Sequence, residues 1–166
     1  MTSPADRPLW RCPRCGHSFV GVNMAHSCVT VPLDDLFARS TPEARAAFDA
    51  FVALFERCGP VEVIGQKTRI VIMARVRFAG ATVLRDRVRL NVALTRQVEA
   101  TWVERIDTYL SGRWKAHHFL VRSPEELAQI AELPALVCEG YRDLGMQGAL
   151  RAAGAEALAG ELAPDA

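Results

Sequence analysis

The sequence predicts an α+β protein, a mostly antiparallel sheet of about five strands packed on two or three helices, with a small N-terminal zinc knuckle. Three observations predict it. Cysteine and histidine crowd into the stretch from Cys12 to Cys28. The apolar period is helical from Pro42 to Cys58 and changes to two from Val61 onward. A complete helix-start signature, Ser123-Pro124-Glu125-Glu126, then closes the strand-like stretch. The chain divides into a zinc-knuckle-like segment (1–30), an α+β domain (31–145) and an Ala/Gly-rich tail (146–166).

The knuckle comes first. Cys12-Pro13-Arg14-Cys15-Gly16 places two thiols on a sharp turn, preset by Pro13 and released by Gly16. His26 and Cys28 follow after ten residues; two apart in an extended segment, they point to one side and are able to share an ion with the first pair. Cys12, Cys15, His26 and Cys28 are the soft, closed donor set of a structural zinc site, with no position left for a catalytic water. His17 is a competing ligand, placed second because the chain is leaving the turn there. Trp10 and Phe19 are expected to form the knuckle's own miniature core.

A connector, Val29–Ser40, carries a one-turn apolar face of Leu33, Leu36 and Phe37. The first long helix opens at Thr41-Pro42 and buries Ala44, Phe48, Phe51, Val52 and Phe55. It stops at Cys58-Gly59-Pro60. Strands are expected at Val61–Ile64 and Thr68–Phe78, a turn at Ala79–Thr82 around Gly80, and a returning strand at Val83–Leu94. Val103–Leu110 and Trp114–Val121 read as a hairpin around Ser111-Gly112. The last helix begins at Pro124, is interrupted at Pro134 and continues through Leu136, Val137 and Tyr141; a frayed helix is expected in the tail.

Parity on the long strands suggests a basic face. With the apolar rows turned to the core, Lys67, Arg69, Arg75 and Arg77 share a face with Arg85, Arg87 and Arg89, and Arg77 comes near Arg85 and Arg75 near Arg87. Like charges in register repel, so the row calls for an anion, an acidic partner or solvation. Its functional reading is a surface for phosphate or carboxylate, and its structural reading a solvated outer face. His117 and His118, adjacent on a strand, must point to opposite faces, one inward and one outward. Together with Tyr109 across the hairpin they mark a second candidate site, a pocket able to bind phosphate or run acid–base chemistry.

Composition bounds the function. A balance of 20 basic against 19 acidic residues leaves a formal charge of +1, so no global field advertises nucleic acid. No run approaches the ~20 apolar residues of a membrane span, and no signal-peptide pattern opens the chain. Cys58 and Cys138 lie far from the cluster in apolar helical patterns and read as two buried thiols, which points to the cytoplasm. No paired carboxylates, phosphate loop or Ser-His-Asp arrangement is drawn by the sequence, and the ledger leans away from an enzyme.

The motifs together resemble a bacterial family known as domain of unknown function 5655. The matching residues are Trp10, Cys12-Pro13, Cys15-Gly16, Phe19, Asn23 and His26-Ser27-Cys28, then Gly59-Pro60-Val61 and Lys67-Thr68-Arg69-Ile70. Phe78-Ala79-Gly80, the Leu90–Leu94 strand and His117-His118-Phe119 complete them. The resemblance implies an α+β domain, sometimes preceded by a zinc knuckle, and no established activity. The leading expectation is a non-enzymatic, zinc-bearing module for an anionic partner, nucleic acid first, using Arg11, Arg14 and the sheet row. The alternatives are a small-molecule or enzymatic pocket at Tyr109, His117 and His118, and a protein-interaction adaptor.

Overall fold

A computed structural model describes residues 7–148, so the expected tail helix lies almost wholly outside the described residues. The fold is α+β. The knuckle contains a two-stranded ribbon, β1 (Trp10–Arg11) with β2 (Ser18–Phe19). The main sheet contains β3 (Glu62–Gly65), β4 (Ile70–Met73), β5 (Arg77–Val83), β6 (Val88–Leu94), β7 (Arg105–Tyr109) and β8 (Trp114–Val121). Its strands lie in the order β3-β4-β5-β6-β8-β7, all antiparallel. The helices are α1 (Leu33–Phe37), α2 (Pro42–Glu56), α3 (Pro124–Ala128) and α4 (Leu133–Gly140), followed by a π-helical turn, Tyr141–Gly145.

The helix starts are where their caps place them. Thr41 accepts from the Ala44 amide at 3.2 Å and Ser123 from the Glu126 amide at 3.2 Å, each with proline in the first turn. One face of α2 buries Ala44, Ala47, Phe48, Phe51 and Phe55 against the sheet residues Ile70, Ile72, Leu90, Val92 and Phe119. Leu133 and Val137 of α4 close the same core.

Two strand expectations fail, for identifiable reasons. Thr68–Phe78 is not one strand: it breaks at Ala74–Val76, where the amides of Arg75 and Val76 donate to the Gly145 carbonyl at 2.9 and 3.1 Å. Gly80 is not a turn but the middle of β5. A β carbon there would lie 2.5 Å from the Ile70 carbonyl oxygen, so glycine serves close strand approach instead. The hairpin closes later, where the Leu84 amide donates to the Arg87 carbonyl at 3.0 Å. The pairings expected between Arg77 and Arg85 and between Arg75 and Arg87 therefore do not form.

The two distant cysteines also differ from expectation. Cys58 and Cys138 form a disulfide with Cα atoms 5.3 Å apart, tying the end of α2 to α4. Proximity across 80 residues is a tertiary fact that spacing does not reveal. With it goes the cysteine argument for a reducing compartment. No helix among the described residues is long and apolar enough to cross a membrane.

Candidate functional site

In the knuckle, Cys12, Cys15, His26 and Cys28 present ligand atoms that all lie within 4.8 Å of one another. Cys15 Sγ and Cys28 Sγ are each 3.3 Å from His26 Nε2, and Cys12 Sγ is 3.9 Å from Cys28 Sγ. A tetrahedral ion with metal–sulfur bonds near 2.3 Å requires edges of roughly 3.6–3.8 Å, so the donor set fits and can hold a metal ion. His26 Nδ1 donates to the Met24 carbonyl at 2.7 Å, which leaves Nε2 with its lone pair toward the thiols. The backbone amide of Cys15, followed by that of Arg14, pulls the Cys12 thiol down to about 6 against the effect of burial. Burial, then the neighbouring Cys12 and Cys15 sulfurs, pushes Cys28 up. A cation at the centre would relieve that repulsion. His17 is outside the cluster, with Nε2 3.8 Å from Glu62 Oε1.

The knuckle sits on the sheet face opposite the helices. Its core of Cys12, Phe19, Val20 and Met24 continues onto Val76 and Leu110, the β4–β5 and β7–β8 turns. Trp10 stacks near Phe19 at 5.7 Å between ring centroids, as the miniature core requires. Gln66 joins the two parts: its Nε2 donates to the Ser27 carbonyl at 3.4 Å, and its Oε1 accepts from Arg69 Nε at 3.0 Å.

Between knuckle and sheet lies a cavity of about 710 Å³. Its floor exists because the cross-strand rows on this face carry small residues, Gly80 beside Asn91 and Ala93 beside Ala116. Phe19, Val20, Met24 and Ala25 form the knuckle wall.

A β-bulge delivers one of the cavity's cations, Arg77. Ile72 pairs with Ala79 but Met73 pairs with Arg77, so Phe78 is the extra residue. Phe78 stays in the core against Phe55 and Tyr141, while Arg77 is re-aimed to the knuckle face. Its guanidinium lies 5.0 Å from the Phe19 ring centroid, and its Nε and Nη2 are buried without a hydrogen-bond partner. Burial above all, with the Arg69 charge beside it, lowers the Arg77 pKa to about 10, and Cys15 opposes this. The group is still charged at neutral pH.

The far wall is polar. Arg105, Asp107 and Tyr109 alternate along β7 onto the cavity, and His118 projects beside them from β8. Asp107 Oδ2 lies 3.0 Å from Arg105 Nη2 and accepts from the Tyr109 hydroxyl at 3.5 Å. His118 Nε2 is buried 3.0 Å from the same oxygen but off the line of a hydrogen bond, and has no other hydrogen-bond partner. Burial, only partly offset by Asp107, lowers the His118 pKa.

The structure thus separates the residues that sequence grouped. His117 is the inward imidazole, fully buried, with Nε2 accepting from the Val98 amide at 2.9 Å. His118 and Tyr109 reach the cavity, as do Arg69 and Arg77. Arg87 is bidentate to Asp86 at 2.9 and 3.2 Å, and Arg89 to Glu104 at 3.0 and 3.3 Å. Arg75 and Arg85 lie in separate turns, and Lys67 is exposed between β3 and β4. Asn91 lies on the face that strand parity gives to Arg89, whereas Asp107 and Arg105 carry no signal in the sequence beyond their period-two spacing with Tyr109, which becomes informative once the strand faces are known. A second depression, about 530 Å³ beside Arg39 and Arg85, contains no buried polar atom lacking a partner. Comparison with protein-family models, curated proteins and solved structures finds no match for this chain.

Proposed function

We propose that this is a zinc-stapled binding protein whose knuckle roofs a cavity for a small anionic ligand. The observation that carries the reading is Arg77: it lines the cavity, and two nitrogens of its charged guanidinium are buried without a hydrogen-bond partner. Buried polar groups are almost always satisfied, so such an orphan calls for an acceptor. An oxyanion is the acceptor that matches the planar guanidinium fork. Arg69, oriented by Gln66, adds a second positive charge at the same end. Zinc is the metal that best suits three thiolates and one imidazole in a closed site. Kinship with the domain 5655 family is part of the proposal and rests on the quoted motifs.

Polymeric nucleic acid is the less favoured partner, because Arg87 and Arg89 are neutralised in surface ion pairs and the expected row is dispersed. Calorimetric titration of the zinc-loaded protein with inorganic phosphate tests the reading. Saturable binding that weakens about tenfold or more in Arg77→Met is expected, from the loss of a charged hydrogen bond. Absence of phosphate binding, together with salt-steep oligonucleotide binding lost on reversing Arg87 and Arg89 to Glu, would restore the nucleic-acid reading.

A further inference from the structure

A second buried orphan in the same cavity says more about the ligand. His118 Nε2 has no hydrogen bond although the Asp107 carboxylate is 3.0 Å away. Its strand neighbour across the pairing is Asn91, whose amide nitrogen lies 3.6 Å from the position of a β carbon on Gly80. Asn91 and His118 thus stand side by side over the glycine floor, both lining the cavity. Arg77 is at the other end: it lies on β5, while His118 lies on β8 with β6 between them. Two strand spacings of about 4.8 Å put the two orphans' strands roughly 10 Å apart across the sheet. A bare phosphate is too short to satisfy both.

We infer that the ligand is a small organic phosphate of nucleotide size, its phosphate on Arg77 and a neutral hydrogen-bonding group some distance away on His118 and Asn91. The chemistry of the far end supports a group that both donates and accepts. An amide side chain offers one donor face and one acceptor face, and an imidazole held beside a carboxylate supplies either role by tautomer. Tyr109 and Trp114, paired with each other four residues along β8 from His118, line the cavity on the knuckle side and add aromatic surface for a flat ring lying between its two ends. The volume of about 710 Å³ is in the range of small-molecule pockets.

This inference rests on the anion-binding reading, and the test separates the two. The zinc-loaded protein is titrated with inorganic phosphate, ribose 5-phosphate and a nucleoside 5′-monophosphate, and the quantity read is the ratio of each ester's affinity to that of inorganic phosphate. The nucleoside monophosphate is expected to bind at least about tenfold tighter than inorganic phosphate, with ribose 5-phosphate between, for one or two added hydrogen bonds and ring contact. His118→Ala, and independently Asn91→Ala, should bring that ratio toward one; two variants guard against one failing to fold, and zinc content and melting temperature are recorded for each. Phosphate binding with no gain for either ester overturns the inference and spares the parent reading. A gain that survives both substitutions overturns it as well. No binding by phosphate or ester removes the parent reading and this inference with it.

Discussion

The two faces of the six-stranded sheet are built from the same strands by alternation, yet they do different work. Toward α2 and α4 the strands present Ile70, Ile72, Leu90, Val92, Phe119 and Val121, and the space is filled. Toward the knuckle they present Gly80, Asn91, Ala93, Ala116 and His118, and about 710 Å³ is left open. The paired histidines divide between the faces: His117 is buried on the helix side, with Nε2 accepting from the Val98 amide and Nδ1 lacking a hydrogen bond, while His118 turns to the cavity with Nε2 3.0 Å from Asp107 Oδ2. Packing to completion serves stability. Small residues leave room that the proposed ligand would occupy. The knuckle walls this underfilled face with Phe19, Val20, Met24 and Ala25, and its four donors can hold a metal ion where a hydrophobic core is too small to fix the segment.

The largest expected effect breaks this comparison directly. Structural zinc in small modules contributes roughly 10–16 kcal/mol to their folding. Chelation, or Cys12→Ser combined with Cys15→Ser, should unfold the Trp10–Cys28 segment and abolish phosphate binding, while β6 and α2 keep their amide protection. Hydrogen exchange read residue by residue checks it, and simultaneous loss of β6 protection would show that the faces are not separable. Metal analysis of the same samples should give about one ion per wild-type chain, the number a single closed site requires, and none in the variant.

On the helix face, Phe51→Ala should cost about 3–5 kcal/mol in denaturant unfolding, the usual result of deleting a fully buried aromatic ring. Reduction of Cys58–Cys138 should cost about 4 kcal/mol on the chain-entropy account of so long a loop. Neither change should alter phosphate affinity while the protein is folded.

A smaller effect separates the histidines. Burial lowers the His117 pKa, so the folded state binds fewer protons than the unfolded state. His117 therefore contributes stability above the ordinary imidazole range near 6.5, and that contribution is lost as pH falls from there toward its lowered folded value. In His117→Leu the acid-side slope of stability should flatten between pH 7.5 and 5.5, roughly one unit either side of the ordinary imidazole value. The orphaned Val98 amide should cost about 1–3 kcal/mol throughout. Smallest of all, Arg87→Ala should leave the melting temperature unchanged, because its partner Asp86 is exposed in a turn.

Local signals were readable in the sequence to the extent that they act locally. The caps at Thr41 and Ser123, the Phe48–Phe55 stripe and the four metal donors all follow from chemistry within a few residues. The opposed directions of His117 and His118 follow from strand geometry alone. What was not legible depends on distant partners. Gly80 looks like a turn until the Ile70 carbonyl is brought against it, and Arg77 belongs to a surface row until the bulge at Phe78 redirects it. The Asp107–His118 contact and the Cys58–Cys138 bond join residues that only the folded sheet and helices bring together.

The central claim is that Arg77, not the surface arginines, receives the anion. It is tested most directly by nitrogen-15 spectra of the arginine Nε–H groups while inorganic phosphate is added to the zinc-loaded protein. The Arg77 Nε–H resonance should shift saturably, with Arg69 following and Arg87 and Arg89 held by their carboxylates. Saturable shifts at Arg87 and Arg89 with Arg77 unmoved would contradict the account.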